Sequence, residues 1–305
     1  MLARGPLWRD GAFEPDRWIE VENGVLVTLG RGAPPRAPDV HGAMLPTFVD
    51  AHTHVADRLA RGRVAAGTSL AEAVAPPEGL KHRMLAAATA DEVVASARAA
   101  LEEARAAGTG CIVDFREGGA AGVLALRDAA RGAGVRALAL GRPDVPGAAL
   151  DDVLAAADGL GLSGLADVAP EEAARQARAA RAAGKLFALH GSEGRREDVD
   201  AMLALRPDLV VHATHATKDD AARLADARVP VALCPRSNER LVGRLPDARM
   251  LLDAGVALAL GTDNAMLHAT SVLDELRAAR RLLHGVRPEE LLAAAVDAPR
   301  ARVRL

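Results

Sequence analysis

His52-Thr53-His54 sets two imidazoles one residue apart at the end of a short apolar stretch. In a strand, side chains two apart share a face, so both rings can reach one ion. A carboxylate would complete a ligand set that suits zinc or iron. The pair alone is weak evidence, because two surface or core histidines read the same way. Other apolar runs end in similar chemistry: one in His190-Gly191-Ser192-Glu193, one in His212-Ala213-Thr214-His215, one in Thr262-Asp263-Asn264. Of nine histidines, five (His52, His54, His190, His212 and His215) stand at or just past such ends. Scattered histidines would not gather there, and the pattern points to a metal site built from His52, His54, His190, His212 and Asp263.

These positions need elements that bring them together. From residue 44 onward, short apolar runs alternate with long Ala/Arg/Glu stretches of helical period. The runs are 44–49, 110–114, 135–140, 160–168, 185–190, 209–212, 229–234 and 256–261. The helical stretches include 90–107, 120–131, 171–183, 196–205, 219–227 and 273–284. Thr89 with Glu92, and Pro170 before Glu171 and Glu172, are helix starts. Continuous apolar strands are covered on both faces, as in parallel sheets. Eight strand–helix units over about 250 residues have the size of a (β/α)8 barrel, whose catalytic groups project from the C-terminal ends of strands. The fourth run is the weakest, because Gly159, Gly161 and Gly164 interrupt it. Residues 1–43 differ: Trp18–Val21 and Gly24–Leu29 flank the turn Glu22-Asn23-Gly24, as in a small β element. The expected fold is an α/β TIM-like barrel over 44–296, with a small β-sandwich-like element from 1–43 and 297–305.

Composition narrows the class. The chain has 305 residues, half of them hydrophobic, enough for a sizeable core. Its 38 basic and 41 acidic residues leave a net charge of −3, which gives no reason to expect nucleic acid or an anionic membrane as partner. No apolar run approaches a membrane span, and the first residues lack the core of a signal peptide. Cys111 and Cys234 lie far apart in apolar runs and read as reduced, buried thiols of a cytoplasmic protein. The segment 61–84, with Pro76-Pro77 and Gly79, has no strong period and is a candidate lid over the site. Arg116, His215, Asn264 and His268 follow strand ends and are candidate substrate contacts; the bland alternative is a helix-cap neighbour for His215 and an ordinary solvated loop residue for the others.

Taken together, these pieces resemble the amidohydrolase superfamily, in particular its deaminase and chlorohydrolase branch. The matching residues are Pro46–His54, Arg61-Gly62, Gly108-Thr109-Gly110 with Val113-Asp114, His190–Glu193, His212–His215, Cys234–Asn238 and Leu260–Asp263. They occur in the family's order across nearly all of 44–275. The resemblance implies that His52, His54, His190 and Asp263 hold a divalent metal, zinc first and iron or manganese as alternatives. It implies that His212 sits close by, as a ligand or as a partner of water and substrate, and that Glu193 moves protons. Members with two metals use a carboxylated lysine on the fourth strand. Lys81, Lys185 and Lys218 are the only lysines and none ends that run, so one metal is expected. Relatives carry a longer C-terminal segment, so the second sheet is expected to be small. The family also implies a homodimer or larger homo-oligomer.

The expected reaction is hydrolytic deamination of a nitrogen heterocycle (a purine, pyrimidine, pterin or nucleoside derivative), with water as co-substrate. Asp263 takes a proton from the water and Glu193 carries one to a ring nitrogen and the leaving ammonia. The nearest alternative is hydrolysis of a cyclic amide or a ring carbon–chlorine bond at the same site. A remote one is an inactive barrel serving as a binding protein.

Overall fold

The computed structural model describes residues 1–143 and 149–302. The chain divides into two compact units, Met1–Thr47 and Phe48–Leu305.

The first unit is a sheet of four strands: β1 (Leu2–Arg9), β2 (Ala12–Glu22), β3 (Val25–Arg31) and β4 (Val40–His41), in the order β3-β2-β1-β4. Two tight hairpins build it. Asp10-Gly11 and Asn23-Gly24 both hold positive φ, 49° and 83° in one turn, 50° and 79° in the other. Two-residue hairpins with φ positive at both central positions match the strand twist, which is why Asn-Gly and Asp-Gly recur there. The Asn23-Gly24 turn was legible in the sequence; β1 was not.

The second unit is a (β/α)8 barrel. Its strands are β5 (Phe48–His54), β6 (Thr109–Arg116), β7 (Arg136–Gly141), β8 (Gly159–Leu162), β9 (Leu186–Gly191), β10 (Leu209–His212), β11 (Val231–Leu233), β12 (Leu258–Leu260) and β13 (Asp263–Asn264). They pair in parallel in the order β12-β11-β10-β9-β8-β7-β6-β5-β13. The last two are halves of one interrupted strand. β12 pairs with β11, and β13 pairs with β5 through Asp263↔Thr53 and Asn264↔His54. The eighth strand therefore meets the first. Asp50 seals the join by accepting from Thr262 N at 2.9 Å and Thr262 Oγ1 at 2.6 Å. Arg61 ties the turn after β5 to the chain after β13, donating to Ala265 O and His268 O, both at 2.8 Å.

Val113, Phe115, Leu140, Leu189 and Val211 are buried along the barrel strands. An outer layer seats the helix Ala90–Ala106 through Ala97, Leu101 and Ala104, against Val55, Ile112 and the helix Gly119–Ala130. Thr89 caps the former helix with Glu92 in a reciprocal capping box.

Two boundaries differ from expectation. The first strand spans Phe48–His54, later than the run 44–49, so that its C-terminal end coincides with the histidines. Residues 297–302, expected beside the N-terminal strands, continue the helix Pro288–Arg302. Pro288 with Glu289 and Glu290 starts that helix, and the Ala-rich stretch after it favours the helical state. Residues 303–305 lie outside the described ones. No helix among the described residues is long and apolar enough to cross a membrane.

Candidate active site

His52 and His54 close β5 on one face, and β9, β10 and β13 bring His190, His212 and Asp263 to the same end of the barrel. Ligand atoms of His52, His54 and His190 all lie within 4.8 Å of one another. His52 Nε2 is 3.2 Å from Asp263 Oδ1, and His54 Nε2 is 3.7 Å from the same oxygen. His190 Nδ1 donates to Leu162 O at 2.9 Å, which leaves its Nε2 bare. Ser237 Oγ donates to Asp263 Oδ2 and Thr53 Oγ1 to Asp263 O, so the carboxylate is held in place.

The backbone is bent to do this. His212 (φ 75°), Ala213 (φ 50°), Ser192 (φ 51°) and Asp263 (φ 57°) occupy the left-handed region without being glycine. Each costs about 1–3 kcal/mol and persists only where the surrounding structure over-determines it. All four sit at strand ends around the donors.

Phe115 supports the imidazoles from within the barrel. Its ring centroid is 4.5 Å from His52 and 4.9 Å from His190. β8 makes room for it: a Cβ on Gly161 would lie 2.5 Å from the Phe115 ring.

Burial sets the charge states. It pushes the imidazoles of His52 and His190 below their usual range, aided at His190 by its imidazole neighbours, and takes His54 to about 3. Burial opposes ionisation of Asp263, but hydrogen bonding and attraction from His52 win and hold its carboxyl well below the usual range. The site thus presents neutral imidazoles and one carboxylate. His52 Nδ1 is buried without a hydrogen-bond partner. Donors about 2 Å from one zinc ion stand roughly 3–4 Å apart, and the His52–Asp263 and His54–Asp263 separations fall in that range. The donor set fits a divalent cation. Cys234 Sγ also lies within 4.8 Å of His52 and Asp263, but burial raises its thiol well above the usual range and keeps it protonated.

Above the donors opens a cavity of about 450 Å³, a usual size for a small-molecule site. His54, His190, His212 and Asp263 line it, with Glu193 and Asn264. Glu193 Oε1 stands 3.6 Å from His212 Nε2. Burial raises the Glu193 carboxyl, while His212 pulls it back down. His212 Nδ1 faces the Asn238 side chain at 3.3–3.5 Å, so Asn238 orients the ring.

Of the four expected substrate contacts, only Asn264 is among the cavity-lining residues, and its Oδ1 is buried without a partner. Arg116 is 1% exposed and turned into an ion-pair cluster with Glu117, Asp114 and Asp57. His215 and His268 lie outside the lining. His268 is part-buried, with Nδ1 at Ala269 O. Loop position alone did not say which way these side chains turn. The sequence reading also missed Lys81, Arg142 and Arg195, which do line the cavity. Lys81 was passed over because it lies in the aperiodic segment 61–84. That segment does roof the site: Leu70, Ala71, Val74, Ala75 and Pro76 line the cavity.

With this geometry in view, comparison with known proteins is decisive. The profile of the amidohydrolase family matches residues 43–296.

The chain belongs to the amidohydrolase family.

A Methanothermobacter thermautotrophicus protein provisionally named an aminohydrolase is 27% identical over 310 residues, covering 93% of this chain and 80% of its own. An aminodeoxyfutalosine deaminase of Deinococcus radiodurans is 44% identical over 96 residues, 31% of this chain and 23% of that protein. A zinc-bound adenosine deaminase structure from Xanthomonas campestris shares the fold with a TM-score of 0.80 at 21% identity, over 99% of this chain and 80% of that one. Like its family, this amidohydrolase is a hydrolase of carbon–nitrogen bonds.

Proposed function

We propose that this amidohydrolase deaminates an amino-substituted nitrogen heterocycle, with His52, His54, His190 and Asp263 holding one divalent ion, zinc by the chemistry of the donor set. The observation that carries the reading is Glu193 on the cavity wall, facing His212 directly above the donor cluster. Relatives named as deaminases support it.

A divalent ion in this donor set supplies the Lewis acidity that activates water at neutral pH. The protein's own residues do the rest. The Asp263 carboxylate, held ionised by its hydrogen bond with His52, is placed to take the proton of the attacking water. Glu193, with its carboxyl raised by burial, is suited to hold a proton and pass it on. Expelling ammonia requires such a donor, because an amide anion is a poor leaving group. His212, kept in orientation by Asn238, offers Nε2 toward the same space. Asn264 lines the same cavity, and its Oδ1 is buried without a hydrogen-bond partner, a group a substrate N–H would satisfy if the side chain turned to it.

The test is ammonia release across a panel of amino-purines, amino-pyrimidines, pterins and adenosine-type nucleosides, on protein whose zinc, iron and manganese have been quantified. Metal-loaded protein should release ammonia from at least one class. Turnover confined to cyclic amides or chloro-heterocycles would overturn deamination in favour of another hydrolysis at the same site.

A further inference from the structure

Beside the donor cluster lies a second buried group of charges. Lys81, on the helix Leu80–Ala87 of the roof segment, is 3% exposed. Its Nζ donates to Glu117 Oε1 at 2.6 Å and lies 3.2 Å from Asp57 Oδ2. Arg116 Nη2 holds Glu117 Oε2 at 2.7 Å, and Arg142 Nη1 holds Oε1 at 3.1 Å. With Asp114 beside Arg116, the acids Asp57, Asp114 and Glu117 balance the cations Lys81, Arg116 and Arg142. A group this dry and this balanced is not a random surface network.

It converges on one atom of the active site. His54 Nδ1 is 3.0 Å from Glu117 Oε1 and 3.2 Å from Lys81 Nζ. These contacts cannot both be hydrogen bonds in the same state. An ammonium only donates and a carboxylate only accepts. If Lys81 donates to Nδ1, the proton of neutral His54 sits on Nε2, the nitrogen that faces Asp263, and His54 cannot serve as a ligand there. If Nδ1–H donates to Glu117, Nε2 is bare.

We propose that Lys81 and Glu117 are positioning residues for His54: the ammonium, delivered by the roof segment, anchors the Glu117 carboxylate so that it takes the Nδ1 proton and leaves Nε2 as the donor to the ion. The inference rests on the metal reading of the site. It also gives the roof a chemical role, because the segment that covers the cavity supplies the cation that sets a ligand's tautomer.

The experiment measures zinc affinity by chelator competition and records the histidine side-chain ¹⁵N spectrum of metal-free protein, for the native chain, Lys81→Met, Glu117→Gln and the double variant. Native His54 should carry its proton on Nδ1. Lys81→Met and Glu117→Gln should each weaken zinc binding roughly 10–100-fold, the usual cost of removing a partner behind a metal-bound histidine. The double variant should bind no more weakly than Glu117→Gln, because Lys81 acts through Glu117. Lys81→Arg should recover most of the affinity. A native His54 with bare Nδ1, native-like zinc affinity in Lys81→Met, or single losses that multiply in the double variant would each overturn the proposal. The native spectrum decides even if Lys81→Met fails to fold. A native chain that binds no zinc, iron or manganese sinks the metal reading itself. Native zinc binding with unaltered variants sinks only the role of Lys81.

Discussion

Glu193 sits three residues past His190, where the chain leaves β9, and the φ of 51° at Ser192 turns it back over the donors. Its replacement separates proton transfer from metal binding. Glu193→Gln should lower kcat by about 10²–10⁴-fold with metal content at the native level, read by steady-state kinetics beside elemental analysis. Unchanged turnover would remove Glu193 from the mechanism. Asp263→Asn should act at the other step and strip most of the metal, since the charge that offsets the cation is lost. At this scale the sequence was informative because ligand chemistry restricts residue type: the gathering of His52, His54, His190, His212 and Asp263 was legible from type and spacing, while the choice of four metal donors among them came from the family resemblance. Arg116 and His268 were not, because nothing local to a loop residue says whether its side chain turns to the cavity or into the wall.

β8 was the hardest strand to see, and the reason is physical. Gly159 and Gly161 break its apolar run, but Gly161 leaves room for Phe115, whose ring braces His52 and His190. Gly161→Ala should destabilise the fold by about 1–3 kcal/mol through overpacking and loosen metal binding as Phe115 moves. Denaturant midpoints with and without metal would show both effects, and a native-like midpoint would contradict the tight contact. The split eighth strand makes a similar point. Thr262 lies between β12 and β13 and satisfies the buried Asp50 carboxylate, which burial has pushed to about 7. Thr262→Val removes one of its donors and should cost about 1–3 kcal/mol, measured by urea unfolding at pH 8, where the carboxylate is ionised. The helices were the most legible elements. Capping residues such as Thr89 with Glu92 act within a few positions of sequence, so their signal is local.

The whole barrel carries histidines that it keeps neutral, and that shapes its response to acid. Burial lowers His268 to about 3 and His82 to about 4. Both values lie below the unfolded reference near 6.5, so between these limits the unfolded chain binds more protons than the folded one. The stability these two rings contribute is then fully present above about pH 6.5 and is lost as pH drops through the window toward 4 and 3. Buried carboxyls such as Asp50, raised to about 7, act in the opposite sense over this window, so the histidine effect is read as a difference: the urea midpoint of the native chain relative to His268→Gln should fall from pH 7.5 through 5.5 to 4.5. A pH-independent difference would mean that the His268 ring is not held neutral. The sequence by itself determined the barrel and the gathering of histidines and Asp263 at its strand ends, because strand period, helix caps and the polar residues that end apolar runs are written over short stretches of chain. The tertiary structure decided the rest: that the eighth strand splits to meet the first, that residues 297–302 are helical, and that Lys81 reaches Glu117 behind His54. Those outcomes depend on contacts between residues far apart in the chain, and no local pattern encodes the distance between them. So His52 and His54 could be found by reading, but that Lys81 and Glu117 both meet His54 at Nδ1 could not.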